Sequence, residues 1–193
     1  PATLSVDVYG IAVDGASPYQ QPPLLQVDHV LVGLRIVSIF GRKWHLSDLR
    51  IDHPVAWIVI RKDGTSNLPH LKSSSSGNTT SIFDLGVRHA LLDQGEVYFN
   101  GRPKELSVDV HDLNLHSSFN RLRTMYSGQL AYNAAQLQYG TFRPLMHDLT
   151  IQFDATPKSF HVRRAQLTSG PSQVILSGTV DQYENPAVET HYE

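Results

Sequence analysis

The sequence predicts a mainly β protein built on one curved antiparallel sheet, a meander of single-faced strands that forms a groove or closes in part. Three observations carry this prediction. Apolar residues recur at every second position in many short segments, glycine-containing turns separate these segments, and helical periodicity is nearly absent. Alternation places the apolar side chains of a strand on one face of a sheet. We therefore expect at most one or two short helices.

The alternation is clearest in segments from all parts of the chain. These are Leu4-Val6-Val8, Val30-Val32-Leu34-Ile36, Val55-Trp57-Val59, Leu106-Val108-Val110, Leu149-Ile151-Phe153 and Val174-Leu176. One row changes phase, because Val110 is followed by Leu113 and Leu115. Such a change indicates a β-bulge or a strand that bends onto another surface. The sheet is therefore expected to be curved.

Residues that tolerate a positive φ separate the segments and predict turns between antiparallel strands. The pairs are Asp63-Gly64, Gln94-Gly95, Asn100-Gly101, Ser127-Gly128, Tyr139-Gly140 and Ser169-Gly170. Helix is scarce, and the best candidate is a short turn from Ser38 to Arg42. The segment from Phe83 to Leu92 fits either periodicity, and we interpret it as a strand because Gly86 lies inside it.

Residues 1–193 are expected to form a single β-rich domain, long enough to bury roughly 70% of its unfolded surface. A serine-rich tract at about 72–81 has no side chain that anchors in a core and is predicted to be a flexible loop. The chain starts at Pro1 without an initiator Met or a targeting segment. We therefore expect it to be a fragment of a longer protein.

Composition excludes several classes of function. The net charge is −2, so no global field gathers nucleic acid, and we expect no nucleic-acid partner. The chain has no cysteine, which removes disulfides and thiolate chemistry. The longest apolar run, Val55 to Ile60, is far shorter than the roughly 20 residues of a membrane helix. Any membrane anchor is expected outside these residues.

Ten histidines suggest an enzyme, and four of them adjoin an aspartate. The dipeptides are Asp28-His29, Asp52-His53, His111-Asp112 and His147-Asp148. Neighbours on a strand point to opposite faces, so neither member orients the other as a catalytic triad requires. His111 and His116 likewise fall on opposite faces of a regular strand and complete no metal site. Common enzymatic motifs are absent. We expect a protein that is not an enzyme and holds no metal or cofactor.

A weak repeat consists of Asp followed by alternating apolar residues. It occurs at Asp48-Leu49-Arg50-Ile51, Asp112-Leu113-Asn114-Leu115 and Asp148-Leu149-Thr150-Ile151. The repeat fits a duplicated strand unit and fits equally well the frequency of Asp where strands begin after turns. Both interpretations stay open at this point.

Single-faced strands must hide their apolar sides. With almost no amphipathic helix, the available partners are a second sheet, closure into a barrel, or an apolar ligand. The third option is a function. The candidate residues for an apolar groove are Val30, Val32, Leu34, Leu106, Val108, Val110, Leu149, Ile151 and Phe153.

The order of several motifs between Leu24 and Pro69 is specific. In sequence they are Gly41-Arg42-Lys43, Ile51-Asp52-His53-Pro54 and Asp63-Gly64-Thr65-Ser66-Asn67-Leu68-Pro69. This order resembles the N-terminal region of AsmA/TamB-like (translocation and assembly module) envelope proteins. Later segments resemble the repeating strand units of the same group, namely Phe83-Asp84-Leu85, Asp93-Gln94-Gly95-Glu96-Val97, Leu167-Thr168-Ser169-Gly170 and Leu176-Ser177-Gly178-Thr179-Val180.

The resemblance implies a periplasmic part of an inner-membrane-anchored protein of a Gram-negative bacterium. It implies a long curved sheet with an apolar groove that serves lipid transport to the outer membrane or envelope assembly, without catalysis. Phospholipid and envelope assembly proteins are the implied partners. The anchor helix of the family is absent from this sequence.

Two other functions stay open. A glycan-binding or glycan-cleaving β domain would use Trp44, Trp57 or the aromatic series Tyr126, Tyr132, Tyr139 and Phe142, with Glu96 and Asp109 as paired carboxylates. Cross-strand packing is the simpler explanation of the aromatic series. A structural interaction module would bind partners by strand addition at an open edge.

Overall fold

The computed structural model describes residues 3–16, 22–38, 43–68, 82–182 and 187–192. These residues form ten strands, one α-helical turn and one 3-10 turn. The elements are β1 (Thr3–Val13), β2 (Leu25–Ser38), β3 (Lys43–Ile60), α1 (Ile82–Leu85), β4 (His89–Gly101), a 3-10 turn (Arg102–Lys104), β5 (Leu106–Asn120), β6 (Met125–Tyr139), β7 (Leu145–Ala155), β8 (Ser159–Ser169), β9 (Ser172–Asp181) and β10 (Ala187–Tyr192). The mainly β fold class is confirmed, and all six alternating segments lie in strands.

The strands form one open sheet in which each strand pairs with its neighbours in chain order, from β1 to β10. All pairs are antiparallel except β3 and β4, which run parallel. The prediction of a wholly antiparallel sheet is wrong at this pair. A parallel pair needs a long crossover connection, and residues 61–88 supply it.

The interpretation of Phe83 to Leu92 as one strand is wrong in its first half. Ile82–Leu85 is a helical turn that ends at Gly86 (φ +53°), and β4 begins only at His89. The Tyr126 hydroxyl fixes this turn, because it donates to the Ile82 carbonyl (3.0 Å) and accepts from the Val87 N–H (2.9 Å). Most of the turn predicted at Ser38 to Arg42, and the whole loop at 72–81, lie outside the described residues.

Residues with left-handed backbone conformation lie inside five strands. They are Gly10 in β1, His53 in β3, Gln94 in β4, Asp112 in β5 and Ala134 in β6. At each of them the apolar alternation skips one residue, as from Val110 to Leu113, and then resumes. The phase change predicted between these two residues is therefore confirmed as a bulge, with the register shifting on both sides of β5. Register shifts also lie beside Gln94 and Ala134, whereas the β1–β2 pairing keeps one register through Gly10, and the apolar face stays continuous.

Side chains hold the backbone at the bulges. Asn114 Oδ1 accepts the Gln94 N–H (3.2 Å), and Asp148 Oδ1 accepts the Ala134 N–H (2.7 Å). Asp112 accepts a hydrogen bond from Asn133 (2.8 Å). Asp112 and Asp148 of the weak repeat therefore hold the backbone at bulges in mid-strand. Asp48, the third aspartate of the repeat, pairs with Gly33 next to a register shift between β2 and β3. None of the three aspartates begins a strand, so the interpretation that they mark the start of strands after turns is wrong.

Two predicted turns lie within strands. Gln94-Gly95 is the bulge of β4, and Ser127-Gly128 pairs with Asp154 and Phe153 inside β6. The turns at Asp63-Gly64, Tyr139-Gly140 and Ser169-Gly170 are confirmed, and in all three the glycine has positive φ. Asn100-Gly101 closes β4, where the left-handed position falls on Glu105 instead.

The core is thin because no described element forms a second layer on the sheet. No large side chain of the described residues is fully buried. The chain exposes 13373 Å², against about 9,200 Å² for a globular protein of this mass. Folding therefore buries about 57% of an unfolded surface of about 31,000 Å², less than the roughly 70% expected, since the sheet is covered so little.

The motif at residues 63–67 closes the exposed end of β3. Asp63 accepts hydrogen bonds from the N–H and hydroxyl of Thr65 (2.9 and 2.7 Å), which shapes the turn. The Asn67 side chain, only 2% exposed, donates to the Trp57 carbonyl (2.6 Å) and accepts from the Val59 N–H (2.9 Å). The Asn67 amide makes backbone hydrogen bonds that a neighbouring strand would otherwise make. The motif therefore has a structural role here.

Candidate functional site

The apolar residues of successive strands line up in rows across the sheet. Following the paired residues from strand to strand, one row crosses nine strands without a polar residue. Its members are Val8, Val30, Ile51, Leu92, Leu115, Leu130, Ile151, Ala165 and Leu176. Eight gaps between strands of about 4.8 Å give this row a length of about 38 Å.

All nine predicted groove residues lie on this same face. Val30, Val32 and Leu34 pair with Val8, Val6 and Leu4 on one side and with residues of β3 on the other. Ile151 and Phe153 continue the rows of Val30 and Val32 through β7, and Leu149 lies next to them.

Leu106, Val108 and Val110 belong to the half of the face beyond the bulges. They pair with Gly101, Phe99 and Val97 of β4, in rows that continue into β6 as Tyr139 and Leu137. Gly95 links the halves, because a Cβ there would lie 2.9 Å from the Leu92 side chain and 3.3 Å from that of Leu113. The three sets of predicted groove residues, one each from β2, β5 and β7, therefore lie on one surface but do not form a compact pocket.

The apolar face is only partly covered. Eight of the nine candidates are half-buried, and Val110 alone is buried. At the β1 edge, Leu4, Val6 and Val8 are 49%, 42% and 40% exposed. Within the described residues the cover is confined to one end, where the Phe83 ring packs on Tyr126 (5.6 Å between centroids). The remaining cover comes from neighbouring side chains on the same face.

The opposite face of β1 to β5 carries a chain of charged groups. His29 lies between two carboxylates, with Nε2 2.8 Å from Asp7 and Nδ1 2.8 Å from Asp52. Arg50 continues the chain, since it contacts Asp52 (2.7 Å) and Asp93 (3.2 Å). The hydrogen bonds that Asp52 and Asp7 accept from His29 raise the pKa of His29. Those that Asp52 accepts from Arg50 and His29 lower the pKa of Asp52.

A second group on this face surrounds His53. Its Nδ1 lies 2.8 Å from Asp28, and its Nε2 lies 3.6 Å from Glu96. The hydrogen bond to Asp28 raises the pKa of His53. Glu96 accepts a hydrogen bond from the Tyr98 hydroxyl (2.6 Å), which raises the pKa of Tyr98 to about 12. A shallow acidic cleft opens here, and it is lined by Asp28, Asp52, His53, Gln94, Glu96 and Asp112.

As predicted, His29, His53 and His147 are not oriented by the aspartate next to them in the chain, and each contacts a side chain of another strand. His29 contacts Asp7 and Asp52 rather than Asp28, and His53 contacts Asp28 rather than Asp52. His147 follows the same rule, with Nε2 3.0 Å from the Tyr132 hydroxyl. The sequence does not show this network, because its partners come from other strands. The described residues contain no group of three or more His, Cys, Asp or Glu side chains placed to hold a metal ion.

The residues of the glycan hypothesis come from β3, β4, β5 and β6 and from the turn after β6. The Trp57 ring stacks on the Tyr98 ring with 6.0 Å between the ring centroids. The side chain of Trp44 is not among those that the structure describes. The hydrogen bond from the Tyr98 hydroxyl lowers the pKa of Glu96, which suits a carboxylate that stays ionised rather than a general acid. Asp109 is on the neighbouring strand, paired with Tyr98.

The first two members of the aromatic series pack across neighbouring strands, whereas the last two do not. Tyr126 is buried against Phe119 (4.6 Å between ring centroids), and Tyr132 lies edge-on to His147 (5.6 Å). Tyr139 and Phe142 stack on each other across a turn (6.2 Å) and are 53% and 71% exposed. The series is therefore divided among three separate contacts and forms no common platform.

Comparison with known proteins finds no matching family model, no matching curated protein and no matching solved structure. Among the described residues, no helix has the length and apolar character needed to cross a bilayer. The function must therefore be argued from the geometry of the sheet.

Proposed function

We propose that this chain is a non-catalytic segment of an AsmA/TamB-like envelope protein, and that its apolar sheet face carries the acyl chains of phospholipid. It would act on the periplasmic side of the inner membrane in lipid transport or envelope assembly. The observation that carries the proposal is the uninterrupted apolar row from Val8 to Leu176 in an open sheet.

The dimensions of the face support this ligand class. The row is about 38 Å long, whereas the hydrocarbon core of a bilayer, which holds two acyl chains end to end, is about 30 Å thick. A full-length acyl chain therefore fits along it. Monomeric soluble proteins rarely leave so large an apolar area uncovered without a partner for it.

A lipid carrier needs one face in contact with water and one apolar face, and the two faces of this sheet differ in this way. Charged groups such as His29, Arg50 and Asp93 keep one side in water, while the apolar rows occupy the other. Acyl chains would gain about 25 cal/mol for each Å² of apolar surface removed from water, on both the lipid and the protein. No reacting group is required for this function.

The test is native mass spectrometry of the protein after gentle extraction from a Gram-negative host. Wild-type chain is expected to carry copurified phospholipid. Ile151→Asp places a charge in the middle of the longest row and is expected to reduce lipid retention about tenfold while costing folding less than about 2 kcal/mol, because Ile151 is only half-buried.

Gln152→Asp is the matched control, because Gln152 is the next residue of β7 and faces the opposite side. It is expected to retain phospholipid as the wild type does. Val108→Asp repeats the test in the other half of the face. Equal losses of retention and stability in the Ile151 and Val108 variants would assign both residues to an ordinary core and contradict the proposal.

A second candidate function is strand addition, favoured by the open edge of β1. This edge is 11 residues long and contains neither Lys nor Pro, the residues that most often protect an edge. Light scattering on lipid-free protein tests it. A dimer that persists in lipid and is lost in Val6→Pro would favour edge pairing over lipid transport.

A further inference from the structure

A cleft at one end of the sheet carries a net positive charge. It has a volume of about 540 Å³ and lies where β3, β4 and β6 end. Its lining residues are Lys62, Arg102, Pro103, Lys104, Glu105, Tyr139 and Gly140. Three cations face a single carboxylate, which leaves a net charge of +2 in the cleft.

The three cations lack partners among the described residues. Lys62, Arg102 and Lys104 are all exposed, and none makes an ion pair or a side-chain hydrogen bond with a described residue. By contrast, Arg50 and Arg163 are paired with carboxylates on the open strands. A group of cations brought together without carboxylate partners is an electrostatic site for an anion.

The cleft is continuous with the apolar face. Tyr139 lines the cleft and is also the last member of the row that contains Ile60, Gly101 and Leu106. Leu106 lines a smaller adjoining cleft of about 250 Å³ together with Lys62 and Arg102. The predicted groove residues Val108 and Val110 follow Leu106 along β5. Cations therefore stand at the end of an apolar strand face.

We propose that this cleft binds the anionic phosphate headgroup of a phospholipid whose acyl chains lie on the adjoining apolar sheet face. The proposal rests on the proposed function and names the ligand class of the same face. Arg102 offers a planar fork of donors that matches phosphate oxygens, and Lys62 and Lys104 supply mobile ammonium groups. The apolar row alone does not distinguish a phospholipid from an uncharged lipid, and the cleft would supply that selectivity.

The experiment compares two triple variants of the full 193-residue chain. K62Q/R102Q/K104Q removes the cations of the cleft. R121Q/R123Q/K158Q is the matched control, because it removes three exposed cations from the turns at the opposite end of the sheet. Each protein is incubated with dioleoyl-phosphatidylglycerol or with dioleoylglycerol in a mild nonionic detergent, and bound lipid is counted by native mass spectrometry.

We expect the cleft variant to bind phosphatidylglycerol about tenfold more weakly than the wild type, whereas the control variant binds it normally. Binding of dioleoylglycerol, which has the same acyl chains but no phosphate, is expected to be equal in all three proteins. Equal phosphatidylglycerol binding by all three would overturn the headgroup site and leave the proposed function standing.

Two further outcomes have separate meanings. If the wild type binds neither lipid, the proposed function fails, and the headgroup site fails with it. If inorganic phosphate at equal concentration displaces phosphatidylglycerol completely, the cleft is a site for free phosphate, and the lipid assignment is overturned.

Discussion

At the scale of single residues, the polar face is organised by imidazoles placed between carboxylates. His29 of β2 links β1 through Asp7 and β3 through Asp52, both at 2.8 Å. Both ring nitrogens face carboxylates, so the arrangement favours the doubly protonated ring. Tyr9 of β1 stacks on the same ring (4.6 Å between centroids). Protonation of His29 therefore helps to hold the edge strand on the sheet.

This geometry predicts that the stability of the sheet edge falls as the pH rises. The contacts with Asp52 and Asp7 raise the pKa of His29 above its ordinary value of 6.5. The stabilising contribution is therefore complete below pH 6.5, where the unfolded chain is protonated too, and disappears as the pH passes the higher folded value. Urea unfolding at pH 5.5 and 8.5 measures the effect in wild type and in His29→Gln.

The expected result is that the wild type loses more stability between the two pH values than His29→Gln does. His53, whose pKa is also raised, titrates in both proteins and cancels in the comparison. An equal pH dependence in the two proteins would show that His29 is not held as an imidazolium.

At the scale of the element, the bulges decide what the strands can do. A strand of 15 residues such as β5 would turn its apolar side away if one residue were inserted without a bulge, because side chains alternate. Because Asp112 adopts a left-handed conformation, the alternation of side chains shifts by one residue there, and the side chains of Val110 and Leu113 stay on one face. The long apolar surface therefore depends on backbone conformation as well as on hydrophobic content.

Gly10 offers a direct test of this role in β1. Its φ is +63°, and a Cβ added there would meet nothing within 4 Å, so a substitution changes backbone strain without a clash. Gly10→Ala is expected to lower the free energy of unfolding by about 1 kcal/mol, since left-handed conformation is costly for residues with a Cβ. Gly10→Asn is expected to cost less, because Asn tolerates this region better. Urea denaturation measures both variants.

The order of the variants, with glycine most stable and alanine least, identifies the left-handed conformation at Gly10. An alanine variant as stable as the wild type would mean that β1 is regular in solution, and the apolar alternation between Val8 and Ile11 would then need another explanation.

At the scale of the whole molecule, the missing second layer lowers the area buried by folding. The surface of 13373 Å² implies that folding buries about 20% less area than in a globular protein of equal mass. The urea m value scales with this area. We therefore expect an m value about 20% below that of globular proteins of 193 residues.

The measurement is urea unfolding of lipid-free protein shown to be monomeric by sedimentation. An m value at or above the globular expectation would indicate that the apolar face is covered in solution. Saturating phospholipid is the control, because a bound ligand raises the unfolding midpoint by mass action.

The sequence by itself determined the local features of this protein. Alternation placed six strands, and the step from Val110 to Leu113 revealed a bulge, because side-chain direction within a strand depends only on position along the chain. The same alternation selected nine residues that share one face. Sequence reasoning failed at Ile82–Leu85, where the Tyr126 hydroxyl, distant in sequence, decides the backbone conformation.

Only the tertiary structure decided which strands are neighbours and what lies at their ends. The parallel pairing of β3 with β4, the carboxylates on both sides of His29 and the gathering of Lys62, Arg102 and Lys104 in one cleft all join residues from separate strands or loops. Strand register and loop placement follow from long-range pairing, which the period-two pattern of a single strand does not encode. The openness of the apolar face has the same origin, since it depends on which elements pack together.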